Sequence, residues 1–298
     1  MTTSLPVRVR APATTANLGP GFDCAGAALD LWNELEVSEG EGVEVHGEGA
    51  GAVPLSSAHL GLRAFALIAP VDGLRFVFTN GIPFTRGLGS SSSTIALGLV
   101  AASVVSGRPQ RLETLLELGL ELESHADNLA PALAGGVCLT WQSAVGKQRV
   151  ARIAPSLPLA AIAVVPEEQV ETASAREALP AEVSHLDASL TVSRAALLGA
   201  GLASGACELL AEAFAGDRLH EPYRGPLSPV FGPIHDELPT GAVGATISGS
   251  GPTVIVWARE HEAVRCADEL EGRFPTSQVL RLVVVPSGAG PFEPAAGS

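Results

Sequence analysis

The spacing of apolar residues along the chain predicts both strands and helices. Apolar and polar positions alternate over residues 7–11 and 74–79, which predicts strands, and the unbroken apolar run at 159–165 predicts a buried strand. Residues 95–105 carry apolar side chains at helical spacing, over a length too short to cross a bilayer. The chain therefore combines strands with at least one buried helix.

The remaining elements follow from the same patterns. Predicted helices are 59–68, 112–124, 172–179, one or two within 190–214, and 260–273; further predicted strands are 27–37, 43–46, 137–141, the hairpin 242–257, and 279–285. Turn residues are dense near 146–158, which predicts a domain boundary there. We expect an N-terminal domain at residues 1–152, a C-terminal domain at 153–288 and a flexible tail at 289–298.

The segment Pro83–Thr94 leads directly into the apolar helix. Gly87 and Gly89 bracket one leucine, and four serines follow. Glycines let successive amides converge on an anion, and a helix N-terminus adds unpaired N–H groups and a partial positive charge. A phosphate chain is the expected ligand, although an ordinary loop with a serine N-cap has the same pattern.

The usual phosphate-loop lysine is missing from this segment. Lys147 is the only lysine in the chain and lies far from the loop in sequence. A nucleotide site here must therefore use amides, hydroxyls, a metal ion and arginine.

Composition narrows the class of protein. The 298 residues are 46% hydrophobic, enough for a substantial core, and carry a net charge of −14, which argues against nucleic acid or an anionic membrane as partner. Four scattered cysteines fit reduced thiols in the cytoplasm, and Val7–Arg10 is too polar for the apolar part of a signal peptide. We expect a cytoplasmic protein that acts on a small molecule.

Three segments, in this order, resemble the three signatures of the GHMP kinase family. They are Pro12–Asp23, Pro83–Ser93 and Ile247–Thr253, and together they span most of the chain. Within the family the resemblance is closest to the homoserine kinases, through four stretches: Thr15–Asp23, His125–Pro131, Ala175–Pro180 and Glu221–Gly225.

The resemblance implies an α/β (α+β) fold of two domains. The N-terminal domain would be of the type also found in a ribosomal protein, and the C-terminal domain would be ferredoxin-like. It also implies an activity, the ATP-dependent phosphorylation of the hydroxyl of L-homoserine in threonine biosynthesis, and a homodimer.

ATP and Mg²⁺ are the implied cofactors. The residues matched to ATP binding are Pro83, Phe84, Thr85, Arg86, Gly87, Leu88, Gly89, Ser90, Ser91, Ser92 and Ser93. Ser91 matches the family's metal-binding hydroxyl, and a carboxylate before His125 should be the second ligand. Glu121 aligns best, with Glu117 and Glu123 as alternatives; Glu113, Glu117 and Glu121 also fit a solvated helix face.

The amino-acid substrate is a zwitterion, so its pocket needs cations and an acceptor. By resemblance the substrate-binding residues are Asn17, Asp23, His125, Asn128, Arg176 and Arg224. Arg224 would clamp the carboxylate and Asp23 would accept from the ammonium group. By resemblance the catalytic residues are Asn17, Asn128 and Arg176. Asn128 stands where related kinases carry a carboxylate base. We therefore expect Asp127 to point elsewhere and catalysis to proceed without a side-chain base.

Some features leave alternatives open. His59-Leu60 replaces the Asn-Leu that the family usually has where adenine is approached, and Trp32 and Asn33 are further candidates for the nucleotide pocket. Another GHMP small-molecule kinase, for a mevalonate-pathway compound or a sugar, and a non-catalytic ligand sensor of the same fold are the competing functions. The intact glycine loop argues against the sensor.

Overall fold

The computed structural model describes residues 4–293 and contains two β-sheets with helices packed against them. The strands are β1 Val7–Ala16, β2 Ala25–Glu39, β3 Gly42–Gly47, β4 Leu74–Asn80, β5 Val137–Gln142, β6 Gln148–Ala154, β7 Leu159–Val165, β8 Ala242–Ile247, β9 Val254–Arg259, β10 Gln278–Val283 and β11 Gly290–Pro291. The α-helices are α1 Leu60–Ala66, α2 Ser90–Val105, α3 Leu112–Gly119, α4 Ala126–Ala134, α5 Thr172–Glu177, α6 His185–Ser204, α7 Cys207–Phe214, α8 Glu221–Arg224, α9 Phe231–Asp236 and α10 Ala263–Arg273.

The first sheet has seven strands and forms the N-terminal part of the molecule. Its main path runs β11-β1-β2-β4-β3, and β5 pairs with both β2 and β6. The β3–β4 pair is parallel and the other pairs are antiparallel. Helix α2 contacts β1, β2, α1, α3 and α4, so it lies in the core. Because every side of the helix is covered, apolar residues occur all around it.

The second sheet has four antiparallel strands in the order β10-β7-β9-β8. Every residue of β7 is buried, because this central strand is covered on both faces, as its unbroken apolar run predicted. Counted along the chain, the strand order is 4-1-3-2, so the prediction of a ferredoxin-like C-terminal part is confirmed. The chain passes from the first sheet to the second between Ala154, where β6 ends, and Leu159, where β7 begins. The exact domain division at residue 152 stays a prediction.

The prediction of a flexible tail is wrong for residues 289–293. Gly290 and Pro291 pair with Arg10 and Val9, because the outer edge of β1 offers unpaired backbone groups. Ala289 N–H also donates to the carbonyl of Ala132. Residues 294–298, the rest of that predicted tail, lie outside the described residues.

Two further differences from the predicted elements lie close to residues of the predicted site. Helix α3 ends at Gly119 rather than at residue 124, and a Cβ on Gly119 would lie 2.5 Å from Leu129 Cδ2 of α4, so the end of α3 packs too closely for a larger residue. The short helix α8 lies at Glu221–Arg224, where the sequence patterns predicted no helix. Within residues 4–293 no helix combines the length and apolarity needed to cross a membrane.

Candidate active site

A cavity of about 310 Å³ lies where the three signature segments meet. Its wall includes the N-terminus of α2, the start of α4, and the loops that end β1 and β8. The segment 170–172, which leads into α5, closes another part of the wall. Both sheets therefore contribute to one site.

The N-terminus of α2 faces this cavity as an anion cradle. Its N-cap is Gly89 in the left-handed conformation, with φ 68°, and no side chain caps the helix. The first amides of α2 therefore remain available to a ligand. Ser90 and Ser91 line the cavity beside them.

Close approach of other loops explains both glycines of the cradle. A Cβ on Gly89 would lie 1.9 Å from Thr14 Oγ1, and a Cβ on Gly87 would lie 2.4 Å from the carbonyl oxygen of Ser248. Both residues also have positive φ, 68° and 84°. A side chain at either position would force the cradle apart.

Eight of the eleven residues predicted to bind ATP line the cavity: Phe84, Thr85, Arg86, Gly87, Gly89, Ser90, Ser91 and Ser92. The side chains of Pro83, Leu88 and Ser93 are instead buried outside this lining. Leu88 belongs to the apolar core, and the Ser93 hydroxyl donates to the carbonyl of Ala11. That Pro83, Leu88 and Ser93 bind ATP stays a prediction.

Arg86 uses its guanidinium to join the two halves of the molecule. Nε donates to the carbonyl of Pro166 at 3.0 Å, and Nη2 donates to the carbonyl of Glu167 at 2.7 Å. Nη1 donates to the carbonyl of Phe84. With these bonds formed, Arg86 ties the cradle to the segment that follows β7 rather than offering a free cation.

Ser92 and Glu123 form the oxygen pair best placed for a metal ion. The Ser92 hydroxyl donates to Glu123 Oε2 at 2.5 Å, and both residues line the cavity. Burial raises the pKa of Glu123, and the hydrogen bond from Ser92 opposes that rise. A buried carboxylate beside hydroxyls and a helix N-terminus is an oxygen donor set that suits a hard cation.

Glu121, the preferred metal ligand in the sequence, does not reach this pair. It is exposed and does not line the cavity. The chain leaves helical geometry after Gly119, so the spacing of four that linked Glu121 to the helix face no longer sets its direction. Glu123, one of the alternatives, lies in the cavity lining instead, and the identity of the metal ligand stays a prediction.

The loop after β1 presents Asn17 and Asp23 to the cavity. Both have positive φ, 72° and 56°, and Asn17 Oδ1 accepts a hydrogen bond from the backbone N–H of Asp23. Asn17 Nδ2 donates to the carbonyl of Gly249 at 2.8 Å, in the third signature segment. The amide of Asn17 thus holds the loop in shape as well as lining the site.

Arg176 and His125 meet Asp23 at the other side of the cavity. Arg176 donates to both carboxylate oxygens of Asp23, at 2.9 Å and 3.1 Å, and its Nη2 lies 2.9 Å from His125 Nε2. Burial, and then the charge of Arg176, lower the pKa of His125. The imidazole is therefore neutral at pH 7.

Arg224 lies deeper than Arg176. Its side chain donates to the carbonyls of Gly249 and Ala175, at 3.2 Å and 3.3 Å. Burial, and then repulsion by Arg176, lower the pKa of this guanidinium, which nevertheless stays charged. Two cations and one carboxylate therefore face the same part of the cavity.

Asn128 and Asp127 begin α4 beside the cradle. Asn128 Oδ1 accepts a hydrogen bond of 2.7 Å from Thr14. Asp127 lines the cavity, so the expectation that it points elsewhere is wrong. Burial, then the nearby charges of Asp23 and Glu123, raise its pKa to about 7, because the carboxyl is desolvated and surrounded by like charge.

Ser248 is a contact residue that the sequence did not reveal. Its hydroxyl donates to the carbonyl of Gly87 at 2.7 Å and lies 3.0 Å from Thr15 Oγ1. One buried hydroxyl therefore joins all three signature segments. The only signal in the sequence was its place in the glycine-rich hairpin tip.

The candidates for adenine contacts lie elsewhere. The Trp32 ring packs under the guanidinium of Arg10, and Asn33 is buried and accepts from the N–H of Ile82. His59 caps α1 and packs on Phe78. None of Trp32, Asn33 and His59 lines the cavity.

Comparison with known proteins places these features in a family. The family model described as GHMP kinases N terminal domain matches residues 55–136, and the one described as GHMP kinases C terminal matches residues 193–276. A homoserine kinase of Streptomyces coelicolor is 43% identical over 85% of this chain and 84% of its own length. One from Desulfitobacterium hafniense is 37% identical over 95% of this chain and 99% of its own.

Solved structures give the same result. The crystal structure of homoserine kinase from Cytophaga hutchinsonii superposes with a TM-score of 0.88 at 26% identity, covering 98% of this chain and 99% of that one. The two-sheet architecture is therefore shared over nearly the whole length.

Proposed function

Since the chain belongs to the GHMP kinase family, we propose that it transfers the γ-phosphoryl group of ATP to the hydroxyl of L-homoserine. One observation carries this proposal: the uncapped N-terminus of α2 and the charged set Asp23, Arg176 and Arg224 open into the same cavity. The first suits phosphate and the second suits a zwitterion.

The donor phosphates would lie along the amides of Gly87–Ser92. Positive φ at Gly87 and Gly89 directs successive N–H groups toward one point, and the dipole of α2 adds positive potential. Phosphoryl transfer asks a protein mainly for position and charge stabilisation, and these amides supply both without a lysine.

Mg²⁺ fits the donor set of this cavity. Glu123 and Ser92 would hold it, with Ser91 beside them as the hydroxyl that the sequence favoured. When bound, the ion would neutralise negative charge on the phosphates. Here the protein supplies a buried carboxylate that lacks a cationic side chain among its hydrogen-bond partners.

The amino-acid end of the substrate would exchange partners with the protein. Arg224, with Arg176, would bind the carboxylate, and Asp23 would accept from the ammonium group. Asn17 and Asn128 would hold the hydroxyl end toward the cradle, since both line the cavity between the two regions. His125, neutral at pH 7, would help to orient Arg176.

We retain the hypothesis that no side chain acts as an essential base. Asn128, which cannot ionise, stands at the start of α4 where the resemblance leads us to expect a carboxylate base. The neighbouring Asp127, with its pKa raised to about 7, is the carboxyl that this hypothesis must exclude by experiment, because a base works best near the ambient pH. A loose phosphoryl-transfer transition state needs little prior deprotonation of the attacking hydroxyl.

A coupled assay of ADP release tests the proposed function. We expect turnover with L-homoserine and none above background with mevalonate or galactose. Turnover on one of these instead would favour another GHMP small-molecule kinase, and turnover on none would favour a ligand sensor. The relatives reported above do not favour either alternative. A cytoplasmic location, expected from the cysteines and the polar N-terminal segment, and a homodimer, implied by the resemblance, remain predictions.

A further inference from the structure

Phe22 lies against both arginines of the proposed substrate pocket. The Cζ atom of Arg176 is 5.3 Å from the centroid of the Phe22 ring, and that of Arg224 is 5.2 Å from it. The two arginines come from different helices, α5 and α8. A single aromatic ring is therefore the surface that both guanidinium groups share.

A buried histidine supports this ring. His220 stacks on Phe22, with ring centroids 5.2 Å apart and an interplanar angle of 21°. Its Nε2 lies 2.9 Å from the carbonyl oxygen of Gly19, which can only accept, so Nε2 carries a hydrogen. Burial lowers the pKa of His220, and the ring behind Phe22 is therefore neutral rather than a third cation.

Two guanidinium groups so close together repel each other. Asp23, which accepts two hydrogen bonds from Arg176, offsets part of that repulsion, but in the proposed function it binds the ammonium group of the substrate instead. The negative face of an aromatic ring attracts both cations without offering an oxygen. An aromatic residue is thus suited to keep both arginines in place without itself taking a hydrogen bond from either guanidinium.

We infer that Phe22 is a positioning residue that holds Arg176 and Arg224 in register to bind the carboxylate of the amino-acid substrate. This inference rests on the proposed function. It deepens that function, because the preference for an α-amino acid would then depend on the Phe22 ring, which has no polar atom and acts by holding the two arginines.

The loop that carries Phe22 has its own support. The N–H groups of Cys24 and Ala25 both donate to the carbonyl of Gly21, and the N–H of Asp23 donates to Asn17. The Phe22 side chain is only partly buried. Removal of its ring should therefore leave the backbone of the loop in place, so the substitution tests position rather than folding.

Kinetics of Phe22→Leu and Phe22→Tyr test the inference. For Phe22→Leu we expect the KM for homoserine to rise roughly tenfold, the scale of a desolvated cation–π contact, while the KM for ATP stays within about twofold. Phe22→Tyr keeps the ring and should stay near the unmodified enzyme. Phe274→Leu is the matched control, because it removes an arginine–aromatic contact, of 5.5 Å to Arg273, on α10.

Three results would overturn the inference. One is an unchanged KM for homoserine in Phe22→Leu, and another is an equal rise of the KM for ATP. The third is a loss in Phe22→Tyr as large as in Phe22→Leu, which would mean that the ring is not what matters.

A measurement without substrate separates this inference from the proposed function. In side-chain NMR spectra of the free protein, assigned with Arg176→Lys and Arg224→Lys, both guanidinium signals should show ring-current shifts. Phe22→Leu should remove these shifts and Phe274→Leu should not. Unshifted signals would refute the role of Phe22 even in an active enzyme, whereas shifted signals in a protein that does not turn over homoserine would refute only the proposed function.

Discussion

Arg176 and Asp23 bind each other through two hydrogen bonds, of 2.9 Å and 3.1 Å, although 153 residues separate them. In the proposed function these side chains bind opposite ends of the substrate. In the free protein the charges of Asp23 and Arg176 therefore neutralise each other. A zwitterionic substrate can replace this one ion pair by two, one with each side chain. A neutral alcohol offers no such exchange, which favours an amino acid as substrate.

Separate replacement of Asp23 by Asn and of Arg176 by Gln should raise the KM for homoserine by roughly 10- to 100-fold. Loss of a hydrogen bond to a charged group is worth about 1.5–3 kcal/mol. The KM for ATP should stay nearly constant, because neither side chain belongs to the amide cradle. Steady-state kinetics with each substrate varied in turn would measure both.

Stability provides the control for that pair. Both side chains are more than one third exposed, so their mutual attraction should stabilise the free protein by only about 0.2–1 kcal/mol in a double-mutant cycle. A larger coupling energy, with little change in KM, would mark the pair as structural.

Glu123→Gln should raise the Mg²⁺ concentration that gives half-maximal activity by about tenfold or more, a scale typical of lost support for a bound metal. The cause is the loss of the buried carboxylate that Ser92 contacts. Glu121→Gln removes the same charge two residues earlier on an exposed side chain and should leave the Mg²⁺ dependence unchanged. The reverse ranking of these two variants would restore Glu121 as the ligand.

Local signals were read from the sequence more reliably than long-range contacts. The glycine loop and the helix after it are contiguous, so residues 83–105 alone predicted an anion cradle, with a serine-capped loop as the alternative; the absence of a side-chain cap came from the structure. The choice between Glu121 and Glu123 depended on where α3 ends. At that end Gly119 packs closely against Leu129 on another helix, a contact that periodicity cannot show.

Other contacts depended on the meeting of distant segments. Ser248 joins Gly87 and Thr15 only because the hairpin of the second sheet reaches the first. The tail pairs with β1 for a similar reason, since an open sheet edge can accept any nearby extended segment. The resemblance to the family supplied the fold, which neither composition nor spacing could have given.

Gly89→Ala should lower kcat/KM by about 100-fold or more. Its Cβ would lie 1.9 Å from Thr14 Oγ1, so the cradle would have to shift, and displacement of about 1 Å at a reacting centre can cost that much. Gly51→Ala is the matched control, because Gly51 also has positive φ, 79°, but a Cβ there meets nothing within 4 Å. It should lose about 1 kcal/mol of stability and keep its activity. Equal losses of activity would assign the effect to backbone strain.

Asp127→Asn should reduce kcat by less than about 10³-fold, because a larger loss is the scale of a missing general base. The variant keeps the shape of the side chain and removes its ionisation. Single-turnover measurements would separate the chemical step from product release. A drop beyond that limit, with unchanged substrate affinity, would identify Asp127 as the base and contradict the proposed mechanism.

Asp127 should also make the folded protein less stable as the pH rises. Its pKa is about 7 in the folded chain against an ordinary value of 3.8, so between these values the folded state holds a proton that the unfolded state has released. The free energy of unfolding should therefore fall by an amount on the order of a few kcal/mol as the pH increases from 4 to 8. In Asp127→Asn this contribution is absent. As the pH rises from 4 to 8, the free energy of unfolding of the variant should therefore increase relative to that of the unmodified protein.

Denaturant unfolding at pH 5 and pH 8 measures this difference. Glu123 and Glu221, whose pKa values burial also raises, remain in both proteins, so most of their contribution cancels in the comparison. A stability difference that does not change with pH would mean that Asp127 ionises normally in the folded chain. In that case its carboxylate would be fully charged at neutral pH, and the kinetics of Asp127→Asn would still decide whether it acts as a base.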